Sequence, residues 1–383
     1  MEGLEKLVCE LVAIESVNPD LVPGGAGEGA IATFVGSWLR DAGCEVTVVE
    51  PVPGRPSVVG VLRGSGGGRS LMLNAHMDTV GAGGMADAFS PVVRDGRVYG
   101  RGAYDMKASL AAIMLTARSA RDLKLKGDLI ITAVADEEVA SLGTSAVLEQ
   151  FRADAAIVTE PTELRLCLAH KGFVWLEVET TGVAAHGSRA DIGVDAIAHM
   201  GPVLSHILDL ENSLKAGRRH PLLGTGSIHA SLIEGGQELS TYPSRCVLKI
   251  ERRTIPGEDG KSVLAEISPP AAAGRAPQES SPPHVVGRVR EGTVKTRVLL
   301  ERPPSELSPD HPLTLAVSEA AGDPEQIGVA YWMDMALTNA AGVPTVAFGP
   351  AGEGAHADVE WVDLASVEKC ISVYLGAAEL LCS

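Results

Sequence analysis

Glu137 and Glu138 stand side by side in "ADEEVA", where an apolar run stops. Like charges this close repel, and burying them is costly. The pair is therefore either a solvated loop or a site that uses one carboxylate as a ligand and the other as a base. Four more short stretches carry residues of compatible chemistry: "NAHMDTV" with His76 and Asp78, "GRGAYDMK" with Asp105, "VTEPT" with Glu160, and "GEGAHADVEW" with His356. Imidazoles and carboxylates without cysteine suit Zn2+, and also Co2+ or Mn2+. Two such ions, about 3.5–4 Å apart, need a shared carboxylate and can hold a hydrolytic water between them.

Each stretch also has a plainer reading. His76 and Asp78 are two residues apart, so on a strand they share a face. Asp78 can then take the hydrogen of the ring nitrogen that does not face a metal; the alternative is a surface aspartate beside a core histidine. Asp105 follows two glycines that permit tight backbone geometry, and it precedes a helical run, so a helix cap is its alternative role. His356 follows the glycine-rich "GPAGEGA", which suits a site or an ordinary exposed histidine. Other chemistries fit less well. "PGEDGKS" lacks the first glycine of a phosphate-binding loop, "GGAGEG" does not follow a clear strand, and no G-x-S-x-G elbow is present.

Positioning these residues calls for strands that end near one another. "LMLNAH", "DLIITAVA", "AAIVTE" and "VPTVAFG" read as apolar strands, with "KASLAAIMLTARSAR", "LGTSAVLEQF" and "LASVEKCISVYLGAAELL" as helices. The N-terminal segment reads as broken helical pieces, followed by the strands "CEVTVVEPV" and "PSVVGVL". This alternation predicts an α/β fold with a covered sheet, whose carboxyl-end loops converge on one crevice. The pattern changes after "KGF". Val174, Leu176 and Val178 alternate with Trp175, Glu177 and Glu179, and Cys246, Leu248 and Ile250 later share one side of a second strand. With the helical "GVDAIAHMGPVLSHILDLE", this predicts a smaller α+β domain. The expected layout is a catalytic domain at 1–172 and 304–383, interrupted by an inserted domain at 173–303. A proline- and serine-rich stretch at 269–284 reads as irregular.

The chain has 383 residues, enough for two domains, and its 45% hydrophobic content suits a large core. A formal charge of -17 argues against nucleic-acid and anionic-membrane partners. No stretch reads as a signal peptide or a membrane span. Six scattered cysteines without C-x-x-C spacing read as reduced core thiols, which predicts a cytoplasmic protein.

Taken together, "HMDTV", "GRGAYDMKAS", "DEEVASLGT", "TEPT", "AAHGSRADIGVDAI", "ERRTIPGE" and "FGPAGEGAHADVEW" occur in the order of a known family. The chain resembles the M20 metal-dependent peptidases and aminoacyl hydrolases, particularly the acetylornithine deacetylase and succinyl-diaminopimelate desuccinylase branch. The resemblance implies a catalytic domain carrying two divalent metals, Zn2+ with Co2+ or Mn2+ as alternatives, and a lid domain that often forms a homodimer. It implies His76 and Glu160 on one ion, Glu138 and His356 on the other, and Asp105 bridging both. Asp78 would orient His76, and Glu137 would be the general base. His186 in "AAHGS" matches a family histidine that stabilises the oxyanion, often from across the dimer. Arg253 in "ERRTIPG" matches an arginine that binds a substrate carboxylate.

Asp191 and Asp195 replace residues usual in relatives, and "YWMD" replaces a usual Gly-Thr-Asp. Asp334 keeps the acidic position of that motif, while Tyr331 and Trp332 either reshape a pocket or pack in the core. The implied activity is amide hydrolysis of a small N-acyl amino acid with a free carboxylate. A dipeptidase or carboxypeptidase is the enzymatic alternative. A binding protein without turnover is a third reading, against which the intact Glu137 and full ligand set argue.

Overall fold

Four apolar runs make the centre of the larger sheet. Leu71–His76, Leu129–Val134, Ala155–Val158 and Thr345–Ala347 are buried at every position. They run parallel to their neighbours among these four, with His76 beside Val134, Asn74 beside Val158, and Ala347 also beside Val158. Parallel strands covered on both faces need no polar alternation, which explains the unbroken apolar runs. Ser57–Leu62 pairs antiparallel with Leu129–Val134, so the sheet is mixed. Because the four central strands share a direction, the segments that follow them leave from one edge. Those segments carry Asp78, Glu137, Glu138, Glu160 and His356.

The computed structural model describes residues 3–267 and 294–383, so the stretch 269–284 lies outside the described residues. The chain divides into two compact units, one comprising Met1–Ala169, Glu306–Gly328 and Met333–Ser383, the other His170–Ser305 and Val329–Trp332. In the first, the helix Ala108–Ala120 is buried on almost every side. Its alanines let it lie close against Leu4–Ala13 and Leu364–Leu381, which complete the core beside the sheet. A small antiparallel sheet of Val92–Arg94, Arg97–Tyr99, Trp361–Asp363 and Gly352–Glu353 joins the region before Asp105 to the region around His356.

The second unit has the antiparallel strand order Ser227–Gly235, Arg245–Thr254, Gly172–Thr181, Val294–Arg302 among its described residues. Val174, Leu176, Val178, Cys246, Leu248 and Ile250 form its buried face. Met200, Val203 and Ile207 of Ala196–Ala216 and Val263 and Ile267 of Gly260–Ile267 cover that face. The two-residue alternation thus yields a one-sided α+β layer.

His170 is buried in this unit, its ring edge-on to Trp332 at 6.2 Å and its Nδ1 3.0 Å from the Lys171 carbonyl. Burial pushes its pKa from 6.5 down to about 4. Between those values the unfolded chain binds a proton that the folded chain does not, so its contribution to stability is complete above 6.5 and falls as the pH drops towards 4. His170→Phe is expected to remove this component. Urea midpoints at about pH 7 and about pH 5 should fall more for the parent than for the variant; equal falls would contradict the account.

Candidate metal centre

His76 is the last residue of its strand and is 1% exposed. Its Nδ1 lies 2.9 Å from the Asp78 main-chain carbonyl, while the nearest Asp78 carboxylate oxygen is 3.7 Å away. The main-chain oxygen, rather than the expected carboxylate, therefore takes the ring hydrogen. The carboxylate is otherwise occupied: it accepts from the Glu137 N–H at 3.1 Å, the Glu138 N–H at 3.2 Å and Asn18 Nδ2 at 2.8 Å. Asp78 thus ties the histidine to the loop that carries both glutamates.

With Nδ1 engaged, Nε2 of His76 faces Asp105 Oδ1 at 3.0 Å and Glu160 Oε1 at 3.6 Å. The other Asp105 oxygen lies 3.3 Å from His356 Nε2, which is also 3.1 Å from Glu138 Oε2. One carboxylate therefore divides its two oxygens between two imidazoles. Asp105 occupies a tight turn, Ala103–Lys107, with a cis peptide bond to Met106. Its side chain faces the histidines, and no side-chain cap hydrogen bond starts the helix Ala108–Ala120. His356 has the left-handed backbone φ of 63° and follows Gly354, whose φ is 88°.

Potential ligand atoms of His76, Asp105 and Glu138 lie within 4.8 Å of one another, as do those of His76, Glu137 and Glu160. Glu137 is therefore within ligand reach of the cluster. The electrostatics fit divalent cations. Burial, followed by the Glu160 charge, holds Glu137 well above the ordinary carboxylate range. Burial and the Asp105 charge raise Glu138. Burial takes Glu160 up to about 8 against the opposing attraction of His76. Burial opposes charge on His76, yet the Asp105 hydrogen bond and the Glu160 charge carry its pKa well above 6.5. Hydrogen bonds to Asp105 and Glu138 raise His356 to about 10. Asp105 alone falls: burial opposes ionisation, but hydrogen bonds from both histidines outweigh it. Raised carboxylates beside raised imidazoles mark a pocket that takes up positive charge, which metal ions supply without protons. Oxygen and imidazole donors in this arrangement fit a pair of divalent ions.

Several buried partners were missed from sequence. Arg55, 6% exposed, makes a forked contact with Glu28 at 2.7 and 2.9 Å, and Nη2 also donates to Asp136 at 2.8 Å. Asn18 Nδ2 joins Asp136 at 3.0 Å to Asp78, so this network reaches the metal centre. Glu360 and Arg101 form a second buried network, on the Asp105 side. Asp334 is buried and accepts from Thr144 at 2.5 Å; burial raises its pKa to about 6.

His186 and Arg253 belong to the second unit. His186 is exposed, with Nδ1 2.8 Å from Ser188 Oγ. Arg253 Nε donates to Glu251 at 2.7 Å, and its guanidinium lies 5.1 Å from the Phe173 ring centre. Neighbouring Arg252 is fully buried against Glu258 and Glu266, whereas Arg253 is partly exposed. Trp332 packs beside His170 and donates to the Pro303 carbonyl, whereas Tyr331 is exposed.

The profile of Peptidase family M20/M25/M40 matches residues 72–380. An acetylornithine deacetylase from Erwinia tasmaniensis is 30% identical over 376 residues, covering 94% of this chain and 92% of the relative. Aminopeptidase PepT from Bacillus cereus shares the fold at a TM-score of 0.77 and 17% identity, over 100% of this chain and 99% of its own. An M20 family metallo-carboxypeptidase from Sulfolobus solfataricus does so at a TM-score of 0.72 and 17% identity, again over 100% and 99%. The order of the motifs, the fold and the paired-histidine carboxylate cluster agree with the profile, and the chain belongs to Peptidase family M20/M25/M40 as a metal-dependent hydrolase.

Proposed function

We propose that the protein hydrolyses the amide bond of a small N-acyl amino acid bearing a free carboxylate. The observation that carries this reading is the division of Asp105 between His76 and His356, beside two glutamates whose backbones are held by Asp78. The likeness to acetylornithine deacetylase favours a deacylase over a peptidase. His76 and Glu160 would hold one ion, Glu138 and His356 the other, and Asp105 would join both. Zn2+ suits these donors, with Co2+ or Mn2+ as alternatives. When bound, the ions supply Lewis acidity and lower the pKa of the attacking water.

Glu137 then accepts the proton released as water adds to the amide carbonyl, and delivers it to the leaving nitrogen. Asp78 keeps this base and the Glu138 ligand in register through their N–H groups. His186 is assigned to the oxyanion and Arg253 to the substrate carboxylate, each carried by the second unit. Arg253 would exchange its contact with Glu251 for that carboxylate, a charge-assisted pairing suited to its forked geometry. A homodimer is part of the proposal, supported by the edge strand Ser227–Gly235, where Leu232 and Ile233 are exposed. A cytoplasmic setting is supported by six cysteines without disulfides.

The substrate assignment is tested by comparing kcat/KM for N-acetyl and N-succinyl amino acids with that for dipeptides. Acylated amino acids are expected to be preferred. Turnover confined to dipeptides would replace the deacylase reading with a peptidase one.

A further inference from the structure

Glu360 is an acid from the far end of the sequence that lies beneath the turn carrying Asp105. It is 2% exposed, and its carboxylate meets four donors. Oε2 accepts from Arg101 Nη1 at 2.8 Å and from the Gly102 N–H at 3.0 Å. Oε1 accepts from the Tyr104 N–H at 2.9 Å and from the Asp105 N–H at 3.0 Å. Three main-chain donors of one turn therefore converge on a single side chain, including the N–H of Asp105 itself.

Arg101 extends the connection to His356. It is 1% exposed, and its other nitrogens donate to the Ala357 carbonyl at 2.9 Å and the Gly81 carbonyl at 3.0 Å. Ala357 immediately follows His356, whose φ of 63° is one that a side-chain-bearing residue rarely adopts unless its surroundings fix it. The Gly100 N–H donates to the Glu360 carbonyl at 3.2 Å, closing the connection through the backbone. One ion pair thus links the segment before Asp105 to the segment after His356. Those are the two side chains whose oxygen and nitrogen approach to 3.3 Å in the metal centre.

We propose that Arg101 and Glu360 are a positioning pair that holds Asp105 and His356 at the separation needed for metal binding. The inference rests on reading those two residues as ligands. Neither member of the pair bonds a reacting atom; each acts through the backbone of a ligand-bearing loop. A buried ion pair is weak grounds for stability, because desolvation offsets much of the attraction. Convergence on two ligand loops gives this pair a function that stability alone does not. Partners that orient metal ligands typically alter metal affinity or activity by roughly 10–100-fold when they are lost.

Two substitutions separate positioning from general stabilisation. Glu360→Gln keeps the size of the side chain but replaces one accepting oxygen with an amide NH2, which leaves two of the four donors without an acceptor. Arg101→Lys keeps the charge but loses the guanidinium fork, so it cannot hold Glu360, Ala357 and Gly81 together. Glu266→Gln, which removes one charge from the ion pair that the partly exposed Glu266 makes with buried Arg252 in the other unit, is the control.

Zn2+ is titrated calorimetrically into the metal-stripped full chain, and circular dichroism checks that each variant is folded. The parent is expected to bind two ions. Arg101→Lys is expected to weaken binding of the ion assigned to Glu138 and His356 about 10–100-fold, and Glu360→Gln to weaken both. Glu266→Gln should keep parent affinities. If Glu360→Gln does not fold, Arg101→Lys decides the matter. Parent-like Zn2+ affinities in folded variants, even with lowered thermal stability, would overturn the positioning role alone. Failure of the parent to bind Zn2+, Co2+ or Mn2+ would instead overturn the metal-site reading on which it rests.

Discussion

Glu137→Gln is expected to lower kcat by about 10²–10⁴-fold while both metal ions remain bound. Two neighbouring glutamates must be told apart, and their surroundings differ. Glu138 lies 3.1 Å from His356 Nε2 and is committed to the histidine and to the Asp105 side of the cluster. Glu137 is positioned by its N–H on Asp78 Oδ1 at 3.1 Å. Burial, followed by the Glu160 charge, raises its pKa, which makes the ionised carboxylate a stronger proton acceptor than an ordinary surface glutamate. Its reach to His76 and Glu160 offers the competing role of ligand. Glutamine preserves size and removes proton acceptance, so the two roles predict different results. Metal analysis alongside turnover distinguishes them: two retained ions with little turnover identify the base, whereas loss of an ion identifies a ligand.

The second large effect is expected at Asp105. Asp105→Ala should leave fewer than two ions bound at Zn2+ concentrations that saturate the parent, and should remove most turnover. No other carboxylate places one oxygen 3.0 Å from His76 and the other 3.3 Å from His356 among the described contacts. Removing it leaves the two imidazoles without a carboxylate in direct contact with both, and takes away the negative charge that would offset the repulsion between two bound cations. The loss should exceed the roughly 10–100-fold effect typical of an outer partner. Equilibrium dialysis followed by elemental analysis measures it. Two tightly held ions in the variant would exclude the bridging role.

The larger part of this architecture was legible in the sequence. "LMLNAH", "DLIITAVA" and "AAIVTE" are apolar runs long enough for strands, and each ends next to acids or a histidine. Parallel packing on both faces explains why those runs did not alternate, and why their polar successors share an edge. The alternation at Val174, Leu176 and Val178 likewise identified the one-sided sheet of the second unit. Sharing of Asp105 was available only through family resemblance, because no spacing rule assigns which acid joins two ions.

Arg101, Glu360, Arg55 and Asn18 lay beyond this kind of reading. Charged residues in loops are ordinarily solvated, and periodicity does not reveal that partners remote in sequence will bury them together. Glu360 reaches Arg101 because Trp361–Asp363 pairs with Arg97–Tyr99, two three-residue strands too short to announce themselves. The Asp78 result has a similar origin. Its spacing from His76 indicated contact, but the choice between main-chain and carboxylate oxygen depended on three other donors.

The most direct test of the account is metal restoration of the intact chain. Protein stripped by a chelator, and confirmed metal-free by elemental analysis, is titrated with Zn2+, Co2+ or Mn2+ while hydrolysis of the best acylated amino acid is followed. Turnover should be absent at the start and return with added metal, reaching a plateau near two ions per chain. Full turnover by the verified metal-free protein would contradict the account.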